Sequence, residues 1–195
     1  MKPLENLDKY EVMLASNSPR RRQLLGDLGV KFTPYVLEGV DESYPAGTPI
    51  MGVAEAISRS KACAYSRAVA GNRLLITADT VVICDGEVLG KPHDAAEAVA
   101  MLHKLSGKVH RVVTGVTITT VSRQSSFSAV TEVEFAELTD EEIRYYVEVY
   151  NPVDKAGAYG IQEWIGCIGV RSINGSFYNV MGLPLQRLYA ELKKY

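Results

Sequence analysis

The longest apolar run of the chain, residues 74–84, is interrupted by a single acid, Asp79. Its stretch 74–83 reads as one buried strand, and the run is too short to cross a bilayer. Strand-like and helix-like segments alternate before it. Residues 12–16 form a short apolar strand, after which Ser18 and Pro19 start a helix as cap and first-turn residue. Leu24, Leu25 and Leu28 make that helix's stripe, and Gly29 ends it. A strand is expected near 32–37 and a second helix from Thr48-Pro49 to about Gly71. Asp85-Gly86 predicts a tight hairpin turn into 87–89. Asp94 caps a third helix with Ala98, Met101, Leu102 and Leu105 on one face, closed by Gly107. Segments 111–121 and 127–135 alternate as a hairpin of two long strands. Thr139 and Glu142 make a capping box before a fourth helix, which Asn151-Pro152 stops. A late strand is expected over 166–173 and a terminal helix from Pro184. The sum is a mixed α/β domain, a long curved sheet with helices packed on it.

With 195 residues, 47% of them hydrophobic, the chain can bury a sizeable core and suits one domain with room for a smaller lobe. A formal charge of -2 provides no field for nucleic acid or an anionic membrane, so a polyanionic ligand must be held by a few placed cations. Cys63, Cys84 and Cys167 lack CxxC spacing and read as reduced, mostly buried thiols of a cytoplasmic protein. Residues 1–10 are polar and do not read as a signal peptide.

Six stretches carry candidate chemistry. Ser16-Asn17-Ser18-Pro19-Arg20-Arg21-Arg22 puts three arginines on the first turn of a helix, where partial positive charge and unpaired N–H groups already lie. Hydroxyls, N–H groups and guanidinium forks there suit a phosphate better than a solvated basic turn. Asp79 in a buried strand needs a partner, and reads as a metal ligand, a general base or a structural acid at a strand end. Lys61 lies one turn beyond Ile57 on the stripe of Val53, Ile57 and Ala64, so it faces inward or snorkels at the rim. Asp41-Glu42, with Glu38 nearby, can hold magnesium through one or two oxygens, or form a solvated acidic loop. Residues 86–91 imitate a P-loop, but the loop is one residue short and Pro92 stands where Ser or Thr would bind magnesium. Lys91 can still reach a phosphate as a point charge. In residues 154–162, two glycines permit close backbone approach, Lys155 adds charge, and Gln162 can read a base edge, or the stretch is a glycine-containing turn leading into a strand. His93, His103 and His110 show no metal spacing, and His103 is expected on a helix surface.

In this order along the chain, the motifs ASNSPRR (15–21), DE (41–42), SKA (60–62), ADT (78–80), GKP (90–92), DKAGAYGIQ (154–162) and NVMGLPL (179–185) resemble the Maf-like family of nucleotide pyrophosphatases. The resemblance covers nearly the whole chain. It implies the fold of inosine triphosphate pyrophosphatases, two lobes with a central cleft, within one Maf-like domain over 1–195. It also implies hydrolysis between the α and β phosphates of a nucleoside triphosphate, with Asp79 as catalytic base. In the subgroup acting on dTTP and UTP, an arginine follows SxSP, a threonine follows the aspartate and a glutamine ends AYGIQ; Arg20, Thr80 and Gln162 match. A sister subgroup acting on 7-methyl-GTP differs at those positions. The family commonly continues with glycine after this glutamine, whereas Glu163-Trp164 stands here.

The expected scheme follows. Magnesium or manganese bridges Glu42, Asp79 and the triphosphate. Arg20, Arg21, Lys61 and Lys91 neutralise phosphate oxygens, Ser16 and Ser18 add donors, and Lys155 belongs to the substrate-binding set. Asp79 deprotonates water for in-line attack at the α phosphorus, and Thr80 and Gln162 contact the base. A homodimer is expected from the family. The rivals are a modified-purine pyrophosphatase and a non-catalytic nucleotide-binding regulator of septum formation.

Overall fold

The computed structural model describes residues 3–195; the reading of the first residues begins on Met1 and Lys2, which lie outside the described residues. Seven strands among them form one mixed sheet: β1 (Glu11–Leu14), β2 (Thr33–Pro34), β3 (Arg73–Cys84), β4 (Glu87–Leu89), β5 (Val109–Thr119), β6 (Gln124–Phe135) and β7 (Val170–Asn174). The order is β2-β1-β3-β5-β6-β7, with β4 paired to β3 off this path. The helices are α1 (Pro19–Asp27), α2 (Val53–Ala64), α3 (Ala95–Leu105), α4 (Asp140–Tyr150), α5 (Trp164–Gly169), α6 (Phe177–Met181) and α7 (Leu185–Leu192). The expected mixed α/β architecture is present.

The chain divides into two compact units, the first made of 1–79, 114–129 and 182–195, the second of 80–113 and 130–181. In the first, β1 runs parallel to both β2 and β3, pairing Leu14 with Pro34 and with Ile76. Met13, Ala15, Tyr65, Ala68 and Leu75 form a core cluster there. In the second, β4 and β7 run antiparallel to β3 and β6 respectively. Its core gathers Val82, Leu102, Leu105, Phe135, Ile143, Tyr146 and Tyr159. The β3–β4 turn uses Asp85 and Gly86 at φ of 51° and 78°, the double left-handed geometry of a two-residue hairpin. The capping box at Thr139 and the cap at Asp94 both form as their residue types dictate.

Five expectations need correction. The strand near 32–37 shrinks to two residues, since Pro34 has no N–H to extend the ladder. The long second helix breaks into a 3-10 turn (Ile50–Gly52), α2, and another 3-10 turn (Ser66–Ala68), with Tyr65 buried between the last two. Ala64, expected on the stripe of α2, is exposed. The late strand begins only at Val170, because the Glu163 carbonyl accepts the N–H groups of Gly166 and Cys167 and winds α5 first. Cys63 and Cys167 are exposed, and only Cys84 is buried.

Candidate active site

The first unit builds its polar centre on the β1–α1 turn. Ser16 is buried, and its Oγ accepts the Ser18 N–H at 3.2 Å. The Ser18 Oγ caps α1 by accepting the Arg21 N–H at 3.4 Å, with Pro19 in the first turn. Arg21 and Arg22 then diverge. Arg22 folds back, its Nε donating to the Ser16 carbonyl at 3.1 Å and a terminal nitrogen to Asn17 Oδ1 at 3.3 Å. Arg21 points across the turn: its Nε donates to the Gly182 carbonyl at 2.8 Å and its Nη1 to the Ala78 carbonyl at 3.0 Å. Burial pulls the Arg21 guanidinium below its ordinary pKa. The charge of Asp79 opposes that fall, Arg20 deepens it, and Glu42 opposes it again. Arg20, Arg21, Glu42 and Asp79 therefore share one electrostatic neighbourhood.

Lys61 joins it from α2. Its Nζ lies 2.7 Å from Asp79 Oδ1 and 2.9 Å from Glu42 Oε1. The side chains of Lys61 and Asp79 are 11% and 9% exposed, whereas that of Glu42 is 50% exposed. Of the two expected positions for Lys61, the inward one is correct. The register behind this contact comes from a buried hydroxyl chain. Thr77, two residues before Asp79 on the same face of β3, donates its Oγ1–H to the Ser58 carbonyl at 2.7 Å. Ser58 is one turn before Lys61 on the same face of α2. Its hydroxyl donates to the Glu55 carbonyl at 2.8 Å and shares a hydrogen bond of 2.8 Å with Thr117. Thr117 in turn shares one of 2.9 Å with Ser126. Asp41, the neighbour of Glu42, is occupied differently: Ser43 donates its hydroxyl and N–H to that carboxylate at 2.7 and 2.8 Å, which holds the Asp41 carboxyl below its usual range.

In the second unit, Thr80 follows Asp79 on β3 and is half-buried. After β4, Lys91 is exposed, and the preceding Gly90 carbonyl accepts the Gly157 N–H at 2.9 Å. The GKP turn and the 154–162 segment are thus joined through backbone. Gly157, at φ 67°, packs so closely on Val82 that a Cβ would stand 2.8 Å from a valine methyl. Lys155 is buried, its Nζ 2.7 Å from Asp154 Oδ1 and 3.2 Å from Glu163 Oε1. Gln162 is exposed.

The histidines stand apart from these groups. His103 is exposed on α3 as expected and pairs with Asp140 at 2.9 Å, while His110 is buried and shares a 2.8 Å hydrogen bond with Tyr159. Among the described residues, no group of three or more His, Cys, Asp or Glu side chains is arranged to hold a metal by itself. Sequence reading missed the carbonyls of Ala78 and Gly182 as holders of Arg21, and the Glu163 side chain as a partner of Lys155. The only advance signals were the NVMGLPL motif and the unusual acid after Gln162.

Sheet, helices and site describe an α/β protein with an acid and several cations gathered at a strand–turn–helix junction. The same fold occurs in a HAM1 protein from Coxiella burnetii, at a TM-score of 0.50 and 17% identity, over 95% of this chain and 100% of that one. The family profile described as Maf-like protein matches residues 11–195. A dTTP/UTP pyrophosphatase of Phocaeicola vulgatus is 60% identical over 98% of this chain and 99% of its own length. Its namesake in Bacteroides thetaiotaomicron is also 60% identical over the same shares, and that of Parabacteroides distasonis 57%, over 98% and 100%. The chain belongs to the Maf-like family.

Proposed function

We propose that this protein hydrolyses dTTP and UTP, and modified pyrimidine triphosphates of the same shape, to the nucleoside monophosphate and pyrophosphate. The observation that carries the reading is the buried Asp79 carboxylate, held by Lys61 and facing Arg21. A sunken acid ringed by cations suits a reaction that brings in several negative charges and needs one proton removed from water. The relatives named dTTP/UTP pyrophosphatase support the substrate choice.

In this reading Asp79 takes the proton of the attacking water through an oxygen whose position Lys61 sets. Arg21, anchored by the Gly182 and Ala78 carbonyls, belongs to the phosphate-binding set as a cation held in place before substrate arrives. Arg20, the α1 N-terminus, Ser16 and Ser18 complete the anion cradle. Lys91 belongs to the phosphate-binding set, and Thr80 and Gln162 to base recognition.

The donor set fits a divalent ion. Glu42 and Asp79 both direct an oxygen at one cationic point, and magnesium characteristically takes one or two carboxylates plus substrate phosphates and water. Glu42 and Asp79 would hold magnesium or manganese, which would supply positive charge against the triphosphate oxygens. Cytoplasmic location and a homodimer belong to the same proposal, and no helix among the described residues is long and apolar enough to cross a membrane.

Pyrophosphate release from a panel of pyrimidine, purine and 7-methyl-GTP substrates, with magnesium and with chelator, tests the reading. Preferred turnover of dTTP and UTP that chelator abolishes is expected. Preference for a purine, or binding without release, refutes it.

A further inference from the structure

Glu163 holds a position whose usual use it declines. It is the N-cap residue of α5, yet its side chain makes no capping hydrogen bond. The carboxylate turns instead toward α4 and the 154–162 segment. There it accepts the hydroxyl of Tyr146 and meets the Lys155 ammonium at 3.2 Å. It also lies flat over Gly160, where a Cβ would stand 2.7 Å from the carboxyl carbon. Tyr146 is fully buried, stacks on Tyr150 with ring centroids 5.0 Å apart, and accepts the Gly160 N–H at 3.0 Å. One carboxylate and one phenol therefore fasten both ends of the Gly160–Glu163 turn to a rigid helix.

Gln162 lies inside that turn. Its neighbour Ile161 is buried, and the Ile161 carbonyl presses on Gly166, where a Cβ would stand 1.9 Å away. Gln162 is thus an exposed side chain between two immobilised neighbours. Lys155 is already matched by the carboxylates of Asp154 and Glu163, and its side chain is only 8% exposed. A buried ammonium so engaged is a tie within the segment, not a hand extended to phosphate.

We infer that Glu163, with Tyr146 and Lys155, is a positioning residue that fixes the Gln162 side chain for recognition of the pyrimidine base. This rests on the proposed hydrolysis of pyrimidine triphosphates. Without the carboxylate, the turn keeps its backbone path less strictly, and discrimination falls more than the rate of the chemical step.

The test compares wild type with Glu163→Ala, Glu163→Gln and Tyr146→Phe. Steady-state pyrophosphate release is measured on dTTP, UTP, dATP and GTP, and amide hydrogen exchange over 154–163 without substrate. In Glu163→Ala, KM for dTTP and UTP is expected to rise about tenfold with kcat nearly unchanged, and preference over purines to narrow. Glu163→Gln, which still accepts from Tyr146, restores most of both. Tyr146→Phe reproduces the effect in a milder form and keeps the result readable if Glu163→Ala does not fold. An unchanged base preference and KM in Glu163→Ala and Tyr146→Phe overturns the inference. So does a kcat loss equal for all substrates. If wild type releases pyrophosphate from none of them, the functional reading fails, and exchange decides the structural part: unprotected amides over 160–163 in the variants sustain the tie, and unchanged protection refutes it.

Discussion

Lys61 and Asp79 depend on each other at the scale of single side chains. Removing one member of a buried pair leaves a charge without its partner and ordinarily costs several kcal/mol. Lys61→Met should therefore lower unfolding free energy by about 3 kcal/mol, at the low end because Arg21 still faces the acid. Urea denaturation measures it, and a loss below about 1 kcal/mol would mean the pair is solvated in solution. Asp79→Asn keeps the shape and removes the base, so turnover should fall at least about a hundredfold while the fold persists. Retained wild-type turnover would remove Asp79 from the mechanism. The one-turn spacing of Lys61 after Ile57 narrowed it to two positions, inward or at the rim of the core, without choosing between them. Its pairing with Asp79 was not legible, because that depends on where a helix settles against a strand. The carbonyls that grip Arg21 had no side-chain signature at all.

At the scale of elements, α2 is pressed onto β5 with almost no clearance. A Cβ at Gly115 would stand 2.3 Å from the Glu55 nitrogen and 2.4 Å from the Ala54 carbonyl. Gly115→Ala must lift the start of α2 and strain the hydroxyl chain through Ser58 and Thr117. A stability loss of about 3 kcal/mol is expected, with a fall in kcat as Lys61 shifts. Normal kcat in a folded Gly115→Ala protein would show that α2 is not held by this contact. Elements with strong local signals were legible: the Asp85-Gly86 hairpin, the Thr139–Glu142 capping box and the Asp94 cap all formed. The 166–173 segment misled because its β-branched residues Ile168, Val170 and Ile173 suit a strand. Close approach of Gly166 to Ile161 decides for a helix, and no local pattern encodes it.

Across the whole molecule, acid should act partly through one histidine in the core of the second unit. Burial lowers His110 from an ordinary value of 6.5 to about 4, and its Nδ1 has no hydrogen-bond partner. The unfolded chain takes up this proton first as pH falls below 6.5, so the folded state loses stability from there down to about 4 and keeps it in full above. The difference is worth about 3 kcal/mol. Denaturation at several pH values should show a slope in that window that His110→Gln flattens; an equal slope in the variant would place the sensitivity elsewhere. The α/β class was legible from alternating segments, whereas the place where the chain divides into two units was not, since that boundary falls inside β3, between Asp79 and Thr80. The grip on Arg21 ties together stretches of chain near positions 21, 78 and 182 through two peptide oxygens. Alanine scanning passes over such anchors, because position 78 is already alanine and position 182 is a glycine with no side chain to remove. Their contribution surfaces only when the donor is altered, as in Arg21→Lys, or when an ester replaces the amide that carries the oxygen.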